Sequence, residues 1–147
     1  MNGLHTIFRR WLSRCSLRVI YSGITLFTLL SGLTIVLFLS GVPFVRGFLS
    51  DVVVVIFMFF FVKTFVPRMN RRPLALFVLL FAFLIEGLQY IHLGDALHAT
   101  GILKVILGAT FDWLDLLAYC MGTLISYVVD HRLGRTDLNS LNKYFHS

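Results

Sequence analysis

Charge is what this chain has least of. Only 14% of its 147 residues are Asp, Glu, Lys or Arg, where a soluble domain carries about a quarter. With 58% hydrophobic residues and a mean hydropathy of +0.86, that scarcity excludes an ordinary soluble fold and reads as an integral membrane protein. Cysteine is equally sparse. Cys15 lies in a basic N-terminal arm and Cys120 inside an apolar run, which makes neither a disulfide framework nor a metal-ligand spacing. There is no internal repeat, low-complexity tract or linker, and the length leaves room for one domain.

Reactive motifs are missing too. No G-x-S-x-G elbow and no H-E-x-x-H occurs, and no His–Cys cluster has zinc spacing. His92 and His98 stand in a loop, where histidines are usually solvated. No metal or cofactor is expected, and catalysis is the less favoured reading. The net charge of +6 does not point to nucleic acid, because no basic patch interleaved with aromatics exists on a soluble surface.

What is present is a set of four apolar segments, from about Val19 to Gly41, Val52 to Val66, Pro73 to His92 and Phe111 to Val129. Each approaches the ~20 residues that cross a ~30 Å hydrocarbon core. The expected fold is therefore all-α, a polytopic membrane protein with four transmembrane helices. The first segment is longer than a signal peptide's apolar region and lacks a small-x-small cleavage site after it, so it is read as a retained span. The second segment is short, and its Lys63 is expected to snorkel toward the headgroups.

Orientation follows from the basic residues. Arg9, Arg10, Arg14, Arg18, Lys63, Arg68, Arg71, Arg72, Arg132, Arg135 and Lys143 fall on one side, against Arg46 and Lys104 on the other. By the positive-inside rule both termini are cytoplasmic. Residues 1–18 then form a basic cytoplasmic arm, 19–130 the four-helix membrane domain and 131–147 a cytoplasmic tail. In the arm, "FRRWLSRCSLR" puts Phe8, Trp11, Leu12, Cys15 and Val19 on one stripe. This is either an interfacial amphipathic helix at the lipid headgroups or a plain basic flank.

The acids have the opposite distribution. Asp51, Glu86, Asp95, Asp112 and Asp115 belong to the outer side and only Asp130 and Asp137 to the inner. In "ATFDWLDLLAYCMG" the spacing 112, 115, 119, 122 places Asp112, Asp115, Tyr119 and Gly122 on one helical face. Asp51, Asp112 and Asp115 each suit a helix N-terminus, whereas Glu86 stands mid-helix in "LFAFLIEGLQYIH", with no free backbone donor of its own helix to cap. An ionised group there is costly, by ~2.5–3.5 kcal/mol or more, so it must face protein. Arg46, Asp51, Glu86, Gln89, Asp112, Asp115 and Tyr119 are expected to meet at one depth near the outer surface. Ala82 on the third span, and Ala118, Gly122 and Ser126 on the fourth, are expected to pack those two helices together. A buried Arg46–Glu86 pair is one reading of the centre, and a functional site is the other.

These motifs are similar to known ones. "FVRGFLSD", "IEGLQY" and "LGATFDWLDLLAYCMG" resemble a family of small bacterial membrane proteins defined only as a domain of unknown function, 2809. The E-x-x-Q and D-x-x-D-x-x-x-Y-x-x-G pattern is also similar to VanZ-like proteins, associated with teicoplanin resistance. The resemblance covers about residues 19–130 and falls on Arg46, Asp51, Glu86, Gln89, Asp112, Asp115, Tyr119 and Gly122. It departs at Ser50, where the family has glycine, and at Tyr119, where VanZ-like proteins often have asparagine. It implies four helices, a bacterial inner membrane and a shared polar site, but no reaction.

Three functions follow from this pattern. The first is an outward-facing polar pocket that binds an envelope component or a cation, with membrane lipids as neighbours. The second is an intramembrane enzyme acting on an envelope lipid or glycan, its carboxylates dividing acid and base roles. The third is a structural assembly partner whose polar cluster only locks the helices. A proton or ion pathway is disfavoured, because the inner half shows no ionisable relay beyond Lys63.

Overall fold

A computed structural model describes the backbone of residues 2–38, 43–91, 100 and 112–146, and the side chains of 17–38, 46–91, 100 and 112–135. Four helices follow in order: α1 (Asn2–Phe38), α2 (Pro43–Phe65), α3 (Arg71–Tyr90) and α4 (Trp113–His146). Each contains a stretch long and apolar enough to cross a membrane: Leu17–Phe38, Arg46–Phe65, Arg71–Tyr90 and Trp113–Arg135. The protein is thus all-helical and multi-pass. α1 runs unbroken through residue 18 and α4 through residue 130, so the edges of the membrane region are changes of side-chain polarity, not ends of helices.

α2 and α4 are the central pair. Each packs against all three other helices, while α1 and α3 do not meet among the described residues. The core is built from Leu17 and Tyr21 of α1, Val55, Phe59 and Phe60 of α2, Leu74, Val78 and Ala82 of α3, and Tyr119 of α4. Phe60 packs against Tyr21 in a tilted contact and against Phe59 edge to face, with ring centroids 5.7 and 5.3 Å away. Outside this core Phe27, Leu30, Leu37, Phe77, Leu80 and Leu124 stand exposed, as side chains facing lipid tails do.

Local chemistry sets the turn between α2 and α3. Asn70 caps α3 by accepting the Arg72 N–H at 3.2 Å. Pro73 falls in the first turn of α3, where a missing N–H leaves no intrahelical bond unmade. Within the spans, hydroxyls bond the carbonyl one turn back: Thr25 to Tyr21, Thr28 to Ile24, Ser31 to Phe27, Thr34 to Leu30, Thr64 to Phe60 and Ser126 to Gly122. That habit satisfies them without water.

Helices α2 and α4 come close together at Gly122. A Cβ there would lie 2.8 Å from the Val52 carbonyl oxygen and 3.0 Å from the Val55 Cβ. Gly122 therefore seats α2, and Ala118 and Ser126, one turn away on either side, are fully buried. α3 and α4 do pack together, as the sequence led us to expect, but Gly122 itself meets α2. Spacing shows which residues share a face, but any neighbouring helix can occupy it.

Candidate functional site

The acidic end of the bundle is assembled from three helices. Asp51 lies in the α2 stretch after Ser50, Glu86 is one turn from the end of α3, and Asp112 and Asp115 open α4. Asp112 caps α4, its carboxylate Oδ1 accepting the Leu114 N–H at 3.0 Å. A 3.1 Å bond from the Asp115 N–H to the Asp112 carbonyl tightens that first turn. The Asp51 and Asp115 side chains adjoin each other across α2 and α4.

Glu86 is the centre of the arrangement and is only 1% exposed. Its Oε2 accepts the Tyr119 hydroxyl at 3.0 Å and its Oε1 accepts the Asp112 N–H at 3.3 Å. The glutamate has no donor to cap on its own helix, yet it caps the start of another. A carboxylate at the N-terminus of α4 gains from the free N–H groups and the positive end of the dipole. Ala82, one turn before Glu86, is buried in the same core cluster as Tyr119. Gln89 is half-buried on the same side of α3.

Arg46 is the departure. It is exposed, and the partners of Glu86 are a phenol and a backbone N–H. The Arg46–Glu86 ion pair, one of the two readings of the sequence, does not form. The site instead grades from exposed Asp112 through half-buried Asp51 and Asp115 to buried Glu86 and Tyr119. Among the described residues no cation pairs with any of the four acids, and no group of three or more His, Cys, Asp or Glu side chains could hold a metal ion. His92, Asp95, His98 and Lys104 lie outside the described residues.

At the opposite end stands a cluster that the sequence reading missed. Lys63 is 3% exposed and does not snorkel. Its Nζ pairs with Asp130 Oδ2 at 3.1 Å and donates to the Met69 carbonyl at 2.7 Å. The Tyr21 hydroxyl donates to Asp130 Oδ1 at 2.6 Å. Arg71 Nε approaches Asp130 Oδ2 at 3.8 Å, and Arg71 also contacts His131. One carboxylate thus gathers all four helices. The pointer available in the sequence was Asp130 itself, an acid in "YVVDHR" on the otherwise basic side, at the same depth as Lys63.

The sequence pattern of a family described as "Protein of unknown function (DUF2809)" matches residues 41–123, more than half of the chain. It takes in every residue of the acidic end and stops short of Asp130. The chain belongs to this family. No curated protein and no solved structure matches.

Proposed function

We propose that this member of the DUF2809 family is a bacterial inner-membrane protein whose acidic end faces outward and binds a cation or the cationic group of an envelope component. Both termini are then cytoplasmic, as the distribution of arginine and lysine requires, and membrane lipids surround the exposed apolar faces. The observation that carries this reading is Glu86: a buried mid-helix carboxylate, grouped with Asp51, Asp112 and Asp115, without a cationic partner among the described residues. Buried charge in a membrane is expensive unless paired, and a cluster of one sign focuses its field on a cation arriving from outside. The gradation from exposed Asp112 inward offers such a group a route of entry.

The test uses the aromatic residue beside the site. Trp113 adjoins Asp112, and with Trp11→Phe it becomes the sole tryptophan. Phosphatidylethanolamine, which carries a primary amine, should change its fluorescence saturably in detergent, while phosphatidylglycerol should not. Glu86→Gln and Asp115→Asn should each weaken that response about tenfold, the worth of one charge-assisted contact. Equal responses to the two lipids would overturn the reading.

The adjoining carboxyls of Asp51 and Asp115 favour a second reading, an intramembrane enzyme acting on an envelope lipid or glycan in the manner implied by the VanZ-like pattern. Two adjoining carboxyls in different surroundings can divide acid and base roles between them. Glycopeptide susceptibility that changes on Asp51→Asn, with protein level constant, would support it.

A further inference from the structure

The acidic and basic ends are joined by one face of α4. Tyr119, Thr123, Ser126 and Asp130 recur at steps of four, three and four residues, so they form one stripe, and all four are buried, at 9%, 9%, 0% and 3% exposure. A buried stripe in a membrane helix is normally apolar, or its hydroxyls are tied to the helix's own carbonyls. Ser126 follows that rule through Gly122. Thr123 does not: its Oγ1 is buried and has no hydrogen-bond partner, the sole such side-chain atom among the described residues.

We propose that this stripe is a proton path between the two ends of the bundle. It goes beyond cation binding at the acidic end and does not depend on it. The path begins at Glu86, already bonded to the Tyr119 hydroxyl, and ends at Asp130, already bonded to the Tyr21 hydroxyl and paired with Lys63. Tyr119 and Asp130 are eleven residues apart, about 16 Å along the helix. The Thr123 and Ser126 hydroxyls subdivide that distance, and the path needs waters to bridge the remaining gaps. Thr123 Oγ1 has both donor and acceptor capacity to hold one such water. Val55, Phe59 and Val78, all buried, supply apolar walls in the same core.

The transfer leaves every heavy atom in place. A proton on Glu86 passes to the Tyr119 oxygen as that hydroxyl turns and releases its own hydrogen to the next oxygen, and so on to Asp130. On arrival it neutralises the Asp130 carboxylate and loosens the pair with Lys63. The charged and titratable groups at the starting end are Asp51 of α2, Glu86 of α3, and Asp112, Asp115 and Tyr119 of α4. At the finishing end they are Tyr21 of α1, Lys63 of α2, Arg71 of α3 and Asp130 with His131 of α4.

The experiment reconstitutes the full chain into phosphatidylcholine liposomes with trapped pyranine, and drives protons with a valinomycin-set potassium potential. Wild type should shift internal pH faster than protein-free liposomes. Thr123→Val, nearly isosteric but without the hydroxyl, should slow the flux about tenfold, the cost of one missing hydrogen-bonded step, and Glu86→Gln should abolish it. Thr123→Ser should restore it. Wild-type flux equal to that of protein-free liposomes overturns the proposal, as does a Thr123→Val variant as fast as wild type. Thr123→Ser as slow as Thr123→Val also overturns it, because the effect would then be packing. Should Thr123→Val not fold, Ser126→Ala removes the next hydroxyl and must slow the flux on the same terms.

Discussion

Lys63 Nζ lies 3.1 Å from Asp130 Oδ2, with each side chain only 4% exposed, so the end of α2 is pinned to α4 by a dry ion pair. The same ammonium bonds the Met69 carbonyl in the turn that leads to α3. Removing one partner leaves the other charge buried and alone, which costs about 3–5 kcal/mol. Lys63→Met and Asp130→Asn should each lower stability in detergent by that order, while Lys63→Met with Asp130→Leu should lose less than either alone. Thermal unfolding followed by circular dichroism distinguishes these outcomes.

Glu86 and Tyr119 give a second cycle, at the other end. Tyr119→Phe removes one donor to a carboxylate and should cost about 1.5–3 kcal/mol. Glu86→Gln keeps an oxygen acceptor for the Tyr119 hydroxyl but gives up the charge at the start of α4. A double-mutant cycle should show coupling of about 1 kcal/mol or more. Simple additivity would mean the two groups do not meet.

Asp112 and Asp115 should behave differently. Asp112→Asn retains a capping oxygen and should be nearly silent, whereas Asp112→Ala should cost about 1 kcal/mol. Asp115→Asn alters the partner of Asp51 while leaving the cap intact, so it should affect binding at the acidic end more than the melting temperature. Equal losses of stability in Asp112→Asn and Asp115→Asn would make both simple helix-end residues.

Two glycines of the matched region make a controlled comparison. A Cβ at Gly122 meets the Val52 backbone oxygen at 2.8 Å, while one at Gly87 meets nothing within 4 Å. Gly122→Ala must push α2 and α4 apart and should cost about 1–3 kcal/mol. Gly87→Ala should be neutral or stabilise by up to about 1 kcal/mol, since alanine is the better helix former. Thermal stability in detergent should separate the two variants.

Orientation is open to chemical labelling. With Cys15 and Cys120 replaced by serine, a cysteine at Thr100 should react with an impermeant maleimide in intact cells, and one at Ser147 only after lysis. The reverse pattern would put the acidic end in the cytoplasm.

The number of spans, their approximate positions and the gathering of acids at one end were all legible in the amino-acid sequence. Apolar run length is set by bilayer thickness, and helical periodicity assigns residues to faces without reference to any neighbour. Partner choice was not legible. Glu86 took a phenol and a backbone N–H from α4 where an arginine was expected, because the start of α4 supplies donors that residue type alone does not reveal. Lys63 turned inward because Asp130, 67 positions later in the chain, lies at its depth on the adjoining helix. Gly122 received α2 rather than α3 for the same reason: a face is a property of one helix, but what fills it depends on how all four pack. Sequence therefore determined the spans and the end at which most acids gather, and the tertiary structure alone decided which charged residues are buried and with whom they pair.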